Sequence, residues 1–157
     1  MSVPKRIREF LDSHKVYYQF CTHSPAYTAQ GVAHAQHISG KEVAKVVVVV
    51  AGGRKLMAVV PASHRVELEQ LARITGEAEV RLSTEEEFQH LFPDCELGAM
   101  PPFGNLYEME VFMDEALKTS PSITFNAGTH METIQMGLGD FERLVKPRTA
   151  SFSSVRH

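Results

Sequence analysis

The sequence predicts an α/β (α+β) domain built around a mixed sheet, and three observations carry that expectation. The unbroken valine run Val46 to Val50 is β-branched and apolar throughout, which suits a strand covered on both faces. Gly52-Gly53 follows it and Lys55 to Pro61 returns, the pattern of a β-hairpin. Further alternating runs are separated by segments whose apolar residues recur at helical spacing, so strands and helices interleave.

In chain order, Pro4 to Ser13 reads as a helix with Ser2 as its cap and Ile7, Phe10 and Leu11 on one face. Val16 to Thr22 reads as a strand, stopped by His23-Ser24-Pro25 because the residue before a proline is pushed toward extended geometry. Thr28 to His37 is expected as a short helix weakened by Gly31, with Gly40 closing it off. After the hairpin, Leu68, Leu71 and Ala72 predict a helix from about Ser63 to Thr75, ended by Gly76. Glu79 to Leu82 reads as a short strand, and Ser83-Thr84-Glu85-Glu86 matches a capping box for a helix over Thr84 to Leu91. Tyr107 to Met113 alternates as a strand, Ser122 to Ala127 is another, and Met131 to Met136 pairs back across the turn Gly128-Thr129-His130. Asp140 to Val145 is the last helix, stopped by Pro147. The tally is about six strands and four or five helices.

The length of 157 residues suits one domain, expected over 1–147, with the Ser-rich segment 148–157 expected as a flexible tail. Cys21 and Cys95 lie far apart in no paired motif, so a disulfide framework is excluded and the cytoplasm is the expected compartment. The longest apolar run falls far short of a membrane span. A net charge of −3 argues against bulk attraction to nucleic acid, DNA included. The charge is segregated, however: carboxylates crowd 67–96, whereas 41–65 carries Lys41, Lys45, Arg54, Lys55 and Arg65 against Glu42 alone. One basic face can still grip a phosphate chain.

Asp94 to Asn105 is the segment richest in constraint. Gly98 and Gly104 bracket Ala99, Met100, Pro101, Pro102 and Phe103, which forbids both a helix and a paired strand. An ordinary connector would not carry so apolar a stretch, whereas the wall of a small-molecule pocket would. Lys45 opens an otherwise apolar strand, so its ammonium belongs at the strand end. The residues leave two readings open there, a snorkelling edge lysine or a cation at a cleft. His130, after Asn126-Ala127-Gly128-Thr129, could line a pocket, accept a proton or cap its turn, and His23 has similar standing. His34 and His37 share a helical spacing, but no Glu between them and no CxxC supports a metal, so neither metal nor cofactor is expected. Cys95 sits between Asp94 and Glu96, which disfavours a reactive thiolate. No phosphate-binding Walker loop or dinucleotide fingerprint is present.

The ordered set His23-x-Pro25-Ala26, Lys45 before the valine strand, Val60-Pro61-Ala62, Gly98-Ala99-Met100-Pro101-Pro102-Phe103-Gly104 and Gly128-Thr129-His130 resembles the YbaK/ProX family of aminoacyl-tRNA deacylases. The same domain is the editing insertion of bacterial prolyl-tRNA synthetases. The resemblance spans roughly Lys15 to Pro147 and implies a barrel-like six-stranded sheet flanked by helices. It implies hydrolysis of the ester that joins a wrong, small amino acid (Ala, Ser or Cys) to a tRNA. The partners it implies are the tRNA acceptor end and prolyl-tRNA synthetase. Carried over residue by residue, Lys45 and Gly98 look like the catalytic groups. His23, Ala99, Met100, Pro101, Pro102, Phe103, Gly104, Gly128 and His130 look like substrate contacts, and Lys41, Arg54 and Lys55 like tRNA contacts. A histidine at 130 is similar to the alanine- and serine-editing branches. The double proline departs from members that keep only the second. Two other readings stand beside it: a non-catalytic tRNA- or synthetase-binding module, and a metal-dependent small-molecule hydrolase.

Overall fold

The computed structural model describes residues 4–22 and 42–155. The expectations for Ser2, His23, the helix Thr28 to His37 and Lys41 lie outside the described residues. Four α-helices are described: α1 (Lys5–Ser13), α2 (Leu68–Thr75), α3 (Glu85–Phe88) and α4 (Leu138–Val145). The strands are β1 (Tyr18–Thr22), β2 (Ala44–Ala51), β3 (Arg54–Pro61), β4 (His64–Val66), β5 (Val80–Leu82), β6 (Glu110–Asp114), β7 (Ser122–Asn126), β8 (Glu132–Gly137), β9 (Arg148–Ala150) and β10 (Ser153–Val155).

The expected mixed fold is present, but the described strands do not close into the expected barrel. Among the described residues the strands form three sheets, ordered β5-β2-β3-β6-β9, β1-β8-β7 and β10-β4. The five-stranded sheet is mixed, because β3–β6 and β6–β9 run parallel and the other pairs antiparallel. It meets the three-stranded sheet through a parallel bridge between Val43 and Thr124.

The valine strand is covered on both faces, and alternation divides its residues between two cores. Ala44 and Val48 join Met57, Val59, Phe103, Phe125, Ile134 and Phe141, with Ile7 and Leu11 of α1 closing that side. Val49 and Ala51 join Leu56, Ala58, Val60, Leu71 of α2, Phe112 and Phe152 on the other. The β2–β3 turn is Gly52-Gly53 with φ of +57° and +85°, the left-handed pair that a two-residue hairpin needs.

Three boundaries differ from expectation. Residues 64–66 form β4 rather than the first turn of a helix, because β10 supplies hydrogen-bond partners that local sequence does not announce. The alternating Tyr107, Met109, Val111 and Met113 do face one core, yet the strand begins only at Glu110, after a 3₁₀ turn and Glu108 at φ +55°. The capping box sits one residue later than expected: Thr84 Oγ1 accepts from the Glu87 N–H and the Glu87 carboxylate accepts from the Thr84 N–H.

The largest correction concerns 148–155 of the expected tail 148–157. Far from a fraying tail, β9 extends the five-stranded sheet, β10 pairs with β4, and Phe152 between them is fully buried. Its N–H donates to Asp114 Oδ1 at 2.8 Å, so the segment brings its own apolar anchor and satisfies its backbone.

Candidate active site

The Gly/Pro segment is a clamped loop. Its start is held against α1, where Arg6 Nε meets Asp94 Oδ2 at 2.7 Å and the Arg6 guanidinium lies 4.6 Å from the Tyr107 ring centre. Tyr107 Oη donates to Asp94 Oδ1 at 3.1 Å. Cys95 lies beside the same pair, and burial, followed by the Asp94 charge, pushes its thiol up to about 12. Burial likewise pushes the Tyr107 hydroxyl up. These groups stay neutral and act as a clasp, as the sequence suggested for Cys95.

The middle of the loop is stitched to the β7–β8 turn. The Glu96 N–H donates to Gly128 O at 2.7 Å and the Gly128 N–H donates to Ala99 O at 2.9 Å. The His130 N–H donates to Glu96 Oε1 at 2.7 Å, and its Nε2 lies 2.7 Å from Leu97 O. A carbonyl oxygen only accepts, so Nε2 carries the proton. The ring also packs on Gly98, where a Cβ would meet His130 Cε1 at 3.4 Å. Gly98, Ala99, Gly128 and His130 are thus brought together.

Glycine is required at 128. Its φ is +92°, and a Cβ would press on Pro4 Cδ and approach Pro4 Cγ to 2.8 Å. The Gly98 N–H points at Met100 Sδ, 3.3 Å away, on an exposed part of the loop. A thioether is a weak acceptor, so that donor is held but barely used.

The second half of the loop serves the core. Phe103, expected as a substrate contact, presents no surface: its ring meets Phe10, Phe125 and Phe141 edge-on at 5.3 to 5.9 Å. Pro101, Pro102 and Gly104 are buried beside it, and a Cβ on Gly104 would lie 2.5 Å from Val111 Cγ2. Beside the first half opens a cavity of about 280 Å³, lined by Phe88, Phe92, Cys95, Glu96, Leu97 and Met100 among others. Phe88 and Phe92 went unmarked in the sequence; their only signal was their place just before the glycine loop.

Lys45 is the second residue of β2, half-buried and paired with Val60. Alternation puts it on the face of Val47 and Val49, opposite the core that holds Met100 and Phe103. What relates it to the loop is β7. Val43 bridges Thr124 in parallel, so Lys45 and Asn126 each stand two residues past the bridge and share a face. Asn126 is two residues before Gly128, which holds the loop. β7 therefore runs from its bridge with the strand of Lys45 to the turn that holds the glycine loop.

The expected basic stretch is not one patch. The hairpin carries Lys45 and Arg54 to opposite ends, six residues or roughly 20 Å apart along β2. Arg54 is paired with Glu110 at 2.8 Å, and Lys55 is half-buried. Among the described residues no group of His, Cys, Asp and Glu side chains is placed to hold a metal ion. No helix among them is long and apolar enough to cross a membrane.

The site is thus a small cavity beside a loop held by main-chain hydrogen bonds, on a mixed α/β frame. The sequence profile of the aminoacyl-tRNA editing domain matches residues 23–144, and the chain belongs to that family. No curated protein sequence matches the chain significantly. Solved structures share its fold at low identity. The hypothetical protein APE2540 superposes with a TM-score of 0.86 at 17% identity, covering 96% of this chain and 100% of its own. A candidate trans-editing enzyme for prolyl tRNA synthetase has a TM-score of 0.80 at 21% identity, covering 96% of each chain. A candidate signal transduction protein from Marinobacter aquaeolei VT8 has a TM-score of 0.77 at 16% identity, covering 97% of this chain and 31% of its own.

Proposed function

We propose that this chain is a trans-editing deacylase that hydrolyses the ester of tRNA mischarged with a small amino acid of the Ala, Ser or Cys class. The observation that carries the reading is the exposed Gly98 N–H, aimed only at a thioether, at the edge of the 280 Å³ cavity. An ester carbonyl oxygen is a far better acceptor than Met100 Sδ, and the oxyanion that develops on it is better still. Because the loop is already stitched to the β7–β8 turn, the donor costs no reorganisation at the moment of reaction.

An aminoacyl ester is activated, so orientation and charge stabilisation suffice. Water attacks the carbonyl carbon, the bond to the ribose oxygen breaks, and that oxygen leaves with a proton from the water. His130 Nε2 is engaged with Leu97 O, so His130 shapes the loop and the cavity's edge rather than taking the water's proton there. Lys45 is assigned to a phosphate of the terminal nucleotide, with Lys41 further along the RNA. Exclusion by size is what a second site must add, since a methylene is worth only about 1–3 kcal/mol to a synthetase. The likeness in fold to a candidate trans-editing enzyme for prolyl tRNA synthetase is the ground for naming that synthetase as the source of the substrate.

The test is a panel of Ala-, Ser- and Cys-charged tRNAs incubated with wild type and Lys45→Ala. At least one should lose its ester with wild type, and Lys45→Ala should slow that loss by roughly a hundredfold, as for removal of one charge-stabilising group. Binding of tRNA that survives Lys45→Ala, with no ester lost in either form, would replace this reading by that of a binding module.

A further inference from the structure

Two side-chain oxygens on β7 are buried without partners among the described residues. Asn126 keeps 8% of its surface and Thr124 2%, and neither Asn126 Oδ1 nor Thr124 Oγ1 has a hydrogen-bond partner among the described residues. Buried polar atoms in folded chains are nearly always paired, so two orphans on one strand call for an explanation. Alternation along β7 sends Ile123 and Phe125 into the core and puts Thr124 and Asn126 on the opposite face, the face of Lys45.

We propose that Asn126, supported by Thr124, receives a hydroxyl of the terminal ribose of the substrate and positions it between Lys45 and the glycine loop. The inference rests on the deacylase reading and adds to it a contact made by no residue assigned so far. The order of groups is what commits it to the sugar. Lys45 follows two residues after Val43, Asn126 two residues after its bridge partner Thr124, and Gly128 beyond them holds the loop that carries the Gly98 donor. In an aminoacylated nucleotide the order is phosphate, ribose, ester carbonyl. A neutral hydroxyl suits an amide oxygen near an ammonium, whereas the substrate's own ammonium would be repelled there. The ester occupies one of the vicinal ribose oxygens, so the other is the free hydroxyl.

The test measures binding with non-hydrolysable analogues, 3′-deoxy-3′-(alanylamino)adenosine 5′-phosphate and its 2′-deoxy counterpart. Wild type should bind the 2′-hydroxyl form roughly tenfold tighter, the net worth of one hydrogen bond. Asn126→Ala should bind both forms alike, near the affinity of wild type for the deoxy form, and Thr124→Val should narrow the gap while keeping the shape of the side chain. A merely structural role would weaken both analogues together and keep their ratio. Equal binding of the two forms by wild type, or a ratio unchanged in both variants, overturns the inference. So does a difference that follows only a seryl-for-alanyl exchange in the analogue, because the hydroxyl would then be the amino acid's. Turnover of mischarged tRNA without 2′-hydroxyl discrimination would sink this inference alone; no turnover and no binding would sink the deacylase reading with it.

Discussion

Gly128→Ala separates two costs that are usually confounded. Gly128 and Gly53 have similar positive φ, +92° and +85°, so an alanine is strained at either position by about 1–2 kcal/mol. Their surroundings differ. At Gly53 nothing lies within 4 Å of the added Cβ, whereas at Gly128 it presses on Pro4 Cδ and lies 2.8 Å from Pro4 Cγ. Pro4 is buried at the start of α1 and its carbonyl accepts from the Ile7 N–H at 3.1 Å, so it cannot retreat without moving the helix. Overpacking of that kind adds about 1–3 kcal/mol. Gly128→Ala should therefore cost roughly 2–5 kcal/mol in total, against about 1–2 for Gly53→Ala. At about 2–4 °C per kcal/mol for a domain of this size, the difference is visible in thermal melts as well as in urea. Pro4→Ala removes Cγ and Cδ but keeps the carbonyl, so in that background Gly128→Ala should fall to the Gly53→Ala value. Equal costs for the two glycines in the wild type, or a Gly128→Ala cost indifferent to Pro4→Ala, would refute the steric account.

Phe152→Ala should destabilise the chain by about 3–5 kcal/mol, since the ring is fully buried and its removal opens a cavity. Truncation after Pro147 should cost at least as much, and a truncated chain with unchanged stability would restore the idea of a tail. In a Cys21→Ser background, Cys95 should react with a thiol reagent at pH 8 far more slowly when folded than in urea. A rise from 9.0 to about 12 lowers its thiolate fraction about a thousandfold, and comparable rates would contradict the clasp. The folded state raises both Cys95 and Tyr107, so their contribution to stability is fully present below pH about 9 and is lost as pH rises beyond it. Urea titrations from pH 8 to 11 should show that loss, and Cys95→Ala should reduce it.

Much of the frame was legible locally. β-branched Val46 to Val50, the Gly52-Gly53 turn, and the amphipathic helices ending near Ser13, Gly76 and Val145 each follow from what their own residues can adopt. The glycine loop and the His130 turn were also marked, because positive φ and missing donors leave few backbone choices. What the chain could not announce is whatever needs a distant partner. β4 and β10 are three residues each and exist because they pair with one another across the domain. Phe103 looked like a pocket wall and is core, because nothing local says that Phe10, Phe125 and Phe141 converge on it.

The sequence alone determined the element types, the shape-restricted loop and the family pattern, because torsional stiffness and hydrophobic period act over a few neighbouring residues. Only the tertiary structure decided that the basic residues of the hairpin part company and that Asp94 is clasped by Arg6 and Tyr107. It likewise decided that Val43 bridges Thr124 and that the turn after β7 is stitched to the glycine loop. The physical reason is that strand register and sheet order set which faces adjoin, and those are fixed by pairing between residues far apart in the chain.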